Sequence, residues 1–226
     1  FYKGTGAHHP FDGVTDPIDP AQGKAQDKYS WAKSPRYDVP GLGYVPLEVG
    51  PLARQVMAAQ PDPAAHQDAD PLFLNVINSE GPSVLTRVLA RTPELAKYYT
   101  MARRWLDELD LHDKFYAKPV ERESGKGFGS TEAARGALSD WIVLENGKIE
   151  NYQVITPTAW NVGPRDADQV VGPIEKAFLG TPVANTADPV ELGHVARSFD
   201  SCLVCTVHAY DGKTGKQLSK FVVGGM

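Results

Sequence analysis

Two cysteines and a histidine near the carboxyl end have the types and spacing that metal or redox chemistry needs. Cys202 and Cys205 are the two cysteines of the chain, separated by two residues, and His208 follows shortly after them. Because a C-x-x-C turn brings both thiols to the same side of the backbone, their sulfurs can bind one metal ion. A tetrahedral site needs four ligands, so this segment predicts half of a metal site.

Three other interpretations of the cysteine pair stay open on spacing alone. Both thiols could pack in a core as small apolar groups. A thioredoxin-type dithiol is a second interpretation, although it normally begins a helix in a βαβ unit, whereas the helix predicted here ends just before the pair. A zinc site completed by His208 and one further ligand is the third.

The elements that would position these residues are mainly helical. Apolar spacing, prolines at helix starts and glycines after helix ends predict several helices. They cover residues 51–60, 71–78, 92–109, 173–179 and 188–199. Thr92 is the expected N-cap of the longest helix, whose apolar stripe comprises Leu95, Tyr98, Tyr99, Ala102, Trp105, Leu106 and Leu109. Asp188 and Glu191 have capping-box spacing.

One hairpin is predicted beside these helices. Trp141–Leu144 and Ile149–Ile155 are β-branched or aromatic runs that flank Asn146 and Gly147, a strong turn signal. Residues 158–166 are expected to form an irregular loop. The predicted fold class is therefore mainly α with a small β hairpin or sheet (α+β).

Gly125, Gly127 and Gly129 have a spacing similar to that of a phosphate-binding loop. No strand is predicted before them, and no Lys-Ser or Lys-Thr pair follows, so a nucleotide site is disfavoured. Four regions are expected along the chain. They are an irregular ordered segment (1–50), a helical region (51–120), a hairpin, loop and metal-ligand region (121–208), and a C-terminal extension (209–226).

Composition narrows the function classes. The chain has 226 residues, a formal net charge of −5, 21 glycines and 18 prolines, which is ordinary for a loop-rich globular protein. Its acidic balance and lack of a basic patch argue against a nucleic-acid partner. It begins at Phe1 with no signal-peptide pattern. We expect a processed, truncated or partial polypeptide in the cytoplasm, with any membrane association made through a complex.

The string D-S-C-L-V-C-T-V-H at 200–208 resembles the C-terminal signature of nickel–iron hydrogenase large subunits. Other segments are similar to the same family in the same order. They are HHPFDGVTDP (8–17), KYSWAKSPRY (28–37), LEVGPLAR (47–54), TEAARGALSDWIVLENGKIENYQVITPTAWNVGPRD (131–166) and LGTPVA (179–184). The resemblance is strongest to the uptake, or high-affinity hydrogen-oxidising, branch. It implies the C-terminal portion of the multihelical large-subunit fold.

The resemblance implies a nickel–iron centre with cyanide and carbonyl ligands, held by four thiolates in two C-x-x-C pairs. Cys202 matches a terminal nickel ligand, and Cys205 matches a thiolate that also bridges to iron. Soft thiolates suit nickel in a redox-active site. Molecular hydrogen would be split heterolytically, with Cys202 or a nearby base taking the proton. Electrons would pass to iron–sulfur clusters in a small subunit.

Further residues match positions around that centre. Arg135 matches an arginine above the metals, where its cation and donors suit cyanide; its pKa above about 12 opposes a role as base. Pro157 and Thr158 match the pair that contacts cyanide. His208 and the backbone carbonyl of Val154 match the ligands of a magnesium or iron ion. His8 and His9 are expected to be structural.

The sequence also departs from the family. It has neither the other C-x-x-C nor the N-terminal glutamate of proton transfer, so the expected partner is the remaining large-subunit segment that carries them. A maturation protease cuts after the histidine that matches His208, whereas residues 209–226 continue here. The alternative functions are a non-catalytic, degenerate hydrogenase-like interaction subunit, an unprocessed precursor lacking the metal, and a zinc-stabilised binding module.

Overall fold

Runs of helices and runs of antiparallel strands follow one another along the chain in the computed structural model. It describes residues 8–12, 34–59, 71–165, 170–201, 205–210 and 213–223. The helices are α1 (Pro51–Ala58), α2 (Pro71–Glu80), α3 (Val84–Leu89), α4 (Arg91–Asp107), α5 (Pro157–Asn161), α6 (Pro173–Phe178) and α7 (Val190–Ser198). The strands are β1 (Tyr37–Val39), β2 (Gly43–Val45), β3 (Gly125–Ala133), β4 (Gly136–Glu145), β5 (Lys148–Ile155), β6 (Cys205–Tyr210) and β7 (Gln217–Val223). This arrangement agrees with an α+β class.

Prolines start three of the helices close to where the sequence predicted them. Pro51, Pro71 and Pro173 open α1, α2 and α6, because the fixed φ of proline suits a first helical turn. Helix α3 was not predicted. A capping box begins it, in which Ser83 Oγ accepts from Thr86 N at 3.2 Å and Thr86 Oγ1 accepts from Ser83 N at 2.8 Å.

The predicted start of the longest helix is wrong. Helix α4 begins at Arg91, and its N-cap is Ala90, whose helical conformation also ends α3. Thr92 therefore lies inside the helix and caps nothing. The apolar stripe is exposed: Leu95 is 73% and Trp105 54% accessible. The described part of the chain has no element that covers this face.

Two further local predictions need correction. Residues 158–166 were expected to be irregular, but α5 occupies 157–161, and Thr156 Oγ1 caps it by accepting from Ala159 N at 3.2 Å. The predicted capping box before α7 does not form. That helix begins at Val190 without a side-chain cap, and Glu191 Oε1 instead accepts from Ala184 N at 3.2 Å.

The predicted hairpin is confirmed and belongs to a three-stranded antiparallel sheet in the order β3-β4-β5. Asn146 and Gly147 form its two-residue turn with φ of 51° and 71°, the left-handed values that such a turn requires. The three glycines with a spacing similar to that of a phosphate-binding loop, Gly125, Gly127 and Gly129, lie in strand β3. Its partner β4 begins at Gly136, so residues 134–135 make a second tight turn.

Two small apolar clusters hold the helices together. One joins α6 to the end of α7 through Ile174, Val195, Ala196 and Phe199, and the other joins α1, α2 and α3 through Leu52, Phe73 and Ala90. The first cluster fixes the carboxyl end of α7, from which the chain runs towards the cysteine pair. Among the described residues, no helix has the length and apolar character needed to cross a membrane.

Candidate functional site

Arg135 lies on the tight turn between β3 and β4 and reaches the segment that precedes the cysteines. Its Nε donates to the backbone carbonyl of Asp200 at 2.9 Å, and the same nitrogen lies 3.6 Å from Asp200 Oδ2. Both side chains remain about two-fifths accessible, at 38% and 42%. This contact uses only the Nε–H of the five N–H groups that arginine has.

Asp200 has a left-handed backbone conformation just after α7. Helix α7 ends at Ser198, Phe199 is buried, and Asp200 adopts a φ of 51° that few non-glycine residues take. Ser201 is again buried. This left-handed residue turns the backbone carbonyl towards Arg135 and starts the segment that contains the C-x-x-C.

The predicted metal ligands are placed only in part. Cys202 lies outside the described residues. Cys205 and His208 lie in strand β6, where they pair with Val223 and Lys220 of β7. The extension after His208 therefore forms a strand beside the predicted ligands.

Two glycines let the turn of Arg135 approach the start of α1. Gly136 has a φ of 132°, and a Cβ there would lie 2.7 Å from Gly50 N and from Val49 Cγ2. Gly50 has a φ of 122°, and its Cβ would lie 2.8 Å from Arg135 O. Only glycine fits at either position, because side chains are strained at these φ values and the backbones touch.

Pro157 and Thr158 lie in α5, whose last residue, Asn161, binds the backbone of Val49 beside Gly50. Asn161 Nδ2 donates to Val49 O, and Asn161 Oδ1 accepts from Val49 N, both at 2.9 Å. Pro157 is buried and Thr158 half-buried. The segment around Val49 thus contacts both the turn of Arg135 and the helix of Pro157 and Thr158.

The remaining predicted positions lie on the sheet. Val154 pairs with Asp140 in the β4–β5 ladder, next to the strand end that leads into α5. His9 packs edge-on against Trp141 with ring centroids 4.9 Å apart, and Asn151 Nδ2 donates to Pro10 O at 3.0 Å. These contacts attach the segment of His8 and His9 to the sheet, as a structural role for the histidines requires.

Three charged residues near the end of α7 were missed by the sequence analysis. Arg87 binds both carboxylate oxygens of Glu48 at 2.7 and 2.8 Å, and its guanidinium lies 4.1 Å above the ring of Phe199. Arg91 Nη2 donates to Ser198 O at 3.1 Å. Glu48 lies within the quoted string LEVGPLAR, but its partner is far away in sequence, so no local pattern could reveal the pair.

Burial affects the electrostatics of Arg91. Desolvation lowers the pKa of its guanidinium below the ordinary value, and the attraction of Asp200, Glu94 and Glu48 opposes this shift only partly. Its guanidinium donates to a carbonyl in the last turn of α7, where a positive charge interacts favourably with the negative end of the helix dipole. The arginines of α3 and α4 thus hold the helix end that leads to the cysteines.

The donor set fits half of a thiolate-bound metal centre. The chain contains two cysteines, and thiolates are the soft ligands that nickel accepts in redox sites. Within the part of the chain that the structure describes, no three His, Cys, Asp or Glu side chains cluster as a metal site. The Arg135 guanidinium binds Asp200, two residues before Cys202 in sequence, and a guanidinium suits anionic ligands on such a metal.

Comparison with known proteins gives a consistent family assignment. Residues 1–208 match the family described as nickel-dependent hydrogenase. The chain is 35% identical, over 95% of its length, to the uptake hydrogenase large subunit of Bradyrhizobium diazoefficiens, of which it covers 39%. It is 33% identical, over 93% of its length, to the hydrogenase-1 large chain of Escherichia coli, of which it covers 38%.

A solved structure also resembles the fold. The [NiFeSe] hydrogenase of Desulfomicrobium baculatum superposes with a TM-score of 0.69 at 31% identity, covering 89% of this chain and 41% of that one. The chain thus spans about two-fifths of the length of these relatives. The resemblance that the motifs indicated is confirmed, and this chain belongs to the nickel-dependent hydrogenase family.

Proposed function

We propose that this chain supplies the C-terminal half of the active centre of a nickel–iron hydrogenase large subunit. The assembled enzyme oxidises molecular hydrogen and passes electrons to iron–sulfur clusters of a small subunit. The partner within the large subunit is the segment that carries the other C-x-x-C. The enzyme's expected location is the cytoplasm, with any membrane association made through the complex.

The observation that carries this proposal is the contact between Arg135 and Asp200. These residues come from two of the strings that resemble the family, and they are 65 positions apart. A degenerate relative that has lost its metal has no chemical need to keep a guanidinium bound to Asp200, two residues before Cys202. A zinc-binding module needs the cysteines but gives no reason for this arginine.

In this proposal the chain's own residues have distinct roles. Cys202 and Cys205 hold the nickel–iron centre, which when bound supplies the redox chemistry of hydrogen splitting. Arg135 donates hydrogen bonds to the cyanide ligands and offsets their negative charge. A thiolate such as Cys202 could take the released proton at its sulfur, because a deprotonated sulfur is a base.

Two further groups support the centre. Pro157 and Thr158 would contact the cyanide ligands, to which the Thr158 hydroxyl would donate a hydrogen bond. His208 and the carbonyl of Val154 bind a magnesium or iron ion nearby. The exposed apolar face of α4 supports the proposal that another large-subunit segment packs on this chain, since contiguous exposed apolar surface marks interaction sites.

The test is hydrogen-dependent dye reduction by the complex purified through its small subunit, with intact mass spectrometry of its chains. We expect activity in the wild type and a mature chain that ends at His208. Cleavage there would remove Ala209, Tyr210 and all of β7. A complex that retains the tail and has no activity would indicate the precursor or the non-catalytic relative.

A further inference from the structure

Arg54 has no role in the site described above, yet its guanidinium binds another helix, a strand and a turn at once. It lies on α1, and its Nε and Nη2 bind the two carboxylate oxygens of Glu94 on α4 at 2.6 and 2.8 Å. Its Nη1 binds Glu132 Oε2, near the end of β3, at 2.7 Å. One side chain therefore joins α1, α4 and the strand that leads to Arg135.

The same guanidinium holds the backbone of the turn itself. Nη1 donates to Ala133 O at 3.0 Å, and Nη2 donates to Ala134 O at 3.2 Å. The carbonyl of Ala134 belongs to the peptide bond that continues into Arg135. Since arginine has five N–H donors, these five contacts use its whole capacity. A lysine has three donors on a single nitrogen and cannot reproduce the arrangement.

The Arg54–Glu94 pair is largely shielded from water, whereas the contact of Arg54 with Glu132 is half-exposed. The Arg54 and Glu94 side chains are 18% and 11% accessible, whereas Glu132 is 48% accessible. Burial by itself would lower the pKa of Arg54, but its hydrogen bonds and ion pairs with Glu94 and Glu132 raise that pKa above the ordinary value. The group is therefore always charged, and charge-assisted bonds in this setting are stronger than neutral ones.

The β3–β4 turn also contacts Gly50, which lies one turn of helix before Arg54. Gly50 packs against Arg135 O at the start of α1, and Arg54 N donates to Gly50 O at 2.9 Å. Residues four apart lie on one face of a helix, so this face meets the turn twice. The backbone meets it at Gly50 and the guanidinium meets it at Arg54.

We propose that Arg54 is a positioning residue for Arg135, which ties the β3–β4 turn to α1 and α4 so that the Arg135 guanidinium stays bound to Asp200, two residues before Cys202. This inference rests on the proposed function, because that function is what Arg135 is positioned for. Arg54 does not itself touch the reacting groups. It acts through the backbone of residues 133–135.

The experiment compares Arg54→Lys with Arg104→Lys in the purified complex. Arg104 is a matched control, since it also pairs with a glutamate (Nε to Glu108 Oε1, 2.6 Å) but is 75% accessible on the outer part of α4. Three properties are measured. They are deuterium exchange of the amides at 133–136, the infrared bands of the cyanide ligands, and kcat and KM for hydrogen.

Arg54→Lys is expected to speed amide exchange in the turn and to shift or split the cyanide bands. It should also lower kcat by about tenfold or more with little change in KM, because small misplacements at a reacting centre have effects of this size. Arg104→Lys should match the wild type in all three properties. Wild-type exchange and wild-type bands in Arg54→Lys would overturn the proposal.

The infrared readout separates positioning from a merely structural role. Faster exchange with unchanged cyanide bands would overturn the positioning claim, because Arg54 would then only stabilise the turn. If Arg54→Lys fails to fold, Glu132→Gln removes one charged partner at a half-exposed site and should give the same shifts in smaller size. Wild-type behaviour of Glu132→Gln in both readouts would then overturn the proposal.

The absence of cyanide bands from the wild-type complex would bear on the proposed function as a whole and not on Arg54 alone. It would overturn the proposed function, and the positioning role would fall with it. The exchange comparison needs no metal, so it would still decide whether Arg54 holds the turn.

Discussion

Arg135 Nε donates to the backbone carbonyl of Asp200 at 2.9 Å, across 65 residues of sequence. Because the acceptor is a backbone oxygen, this bond depends on the conformation of Asp200 and not on its carboxylate. The positive φ of Asp200 and the tight turn of Arg135 must therefore both be in place for the guanidinium to make this bond. This contact joins the central sheet to the end of α7.

Replacing Arg135 by lysine should reduce hydrogen oxidation far more than it reduces stability. The ammonium cannot reproduce the guanidinium's directed donors, so we expect kcat to fall by about tenfold to a hundredfold. Stability should change by less than about 1 kcal/mol, because the ion pair with Asp200 is partly exposed. Dye reduction and thermal unfolding of the complex measure the two effects.

Arg104→Lys is the control for Arg135→Lys, since it makes the same chemical change in an exposed pair. It should leave both readouts unchanged. An Arg135→Lys complex with full activity would show that the guanidinium does not serve the centre.

Adding one methyl group at Gly136 should destabilise the fold strongly. The Cβ of Gly136→Ala would lie 2.7 Å from Gly50 N at a φ of 132°, so strain and a backbone clash combine. We expect a loss of about 3 kcal/mol or more in the free energy of unfolding. Urea titration followed by circular dichroism measures it.

Alanine substitutions at two other glycines of the same sheet distinguish backbone strain from the steric clash. Gly147→Ala meets the strain of a φ of 71° with nothing within 4 Å, and should lose about 1 kcal/mol. Gly129→Ala also has open space, with no positive φ, and should change stability little. Equal losses at all three positions would contradict the close crossing of residues 49–50 with the turn.

The sequence predicted those elements whose signals are local. The β4–β5 hairpin follows from Asn146-Gly147 between apolar runs, and α1 and α6 follow from their opening prolines. Strand β3 was missed because its three glycines interrupt the alternation of side chains, and its pairing with β4 supplies what the local pattern lacks. The start of α4 was misplaced because α3 runs into it through Ala90.

The residues of the candidate site also divide into those that a local sequence signal indicates and those that only the tertiary structure reveals. Arg135 was found through a family string, whereas Arg54 and Arg87 became visible only through partners that lie 40 and 39 residues away. Charge pairing at such separations depends on tertiary packing, which no periodicity in the chain encodes. The string LEVGPLAR contains both Glu48 and Arg54, but it does not indicate which charges they meet.

Removing the guanidinium of Arg87 should destabilise the end of α7. Arg87→Met would leave the Glu48 carboxylate without its bidentate partner and would remove the cation–π contact with Phe199. We expect a loss of about 3 kcal/mol, because breaking a buried pair leaves an uncompensated charge. Chemical unfolding measures the loss.

The double variant Arg87→Met/Glu48→Gln tests the cause of this loss. It should recover part of the stability, since the orphaned charge is then absent. Arg104→Met, in a pair that is 75% and 54% accessible, should cost less than about 1 kcal/mol. A similar loss in both arginine variants would contradict the buried character of the Arg87 pair.

Tyr152 should titrate at higher pH than an ordinary tyrosine. Its hydroxyl donates to Asp140 Oδ1 at 2.7 Å, and this hydrogen bond, followed by desolvation and the negative charge of Asp140, raises its pKa. The folded state therefore keeps the proton where the unfolded chain has lost it. The stabilising contribution is complete below the ordinary pKa of about 10 and is lost as pH rises through the folded-state pKa.

Ultraviolet difference titration of the wild type against Tyr152→Phe isolates this group. The midpoint should lie above that of a model tyrosine, and Asp140→Asn should lower it. A midpoint that Asp140→Asn leaves unchanged would show that the hydrogen bond does not control the titration.

The most direct test of the central claim is the nickel content of the purified complex in the wild type, Cys202→Ser and Cys205→Ser. His8→Ala is the control, since His8 is a metal-capable residue with an expected structural role. If the C-x-x-C supplies half of the nickel ligands, the wild type and His8→Ala hold stoichiometric nickel and both cysteine variants lose it. Nickel retained in both cysteine variants, or zinc in place of nickel in the wild type, would contradict the account.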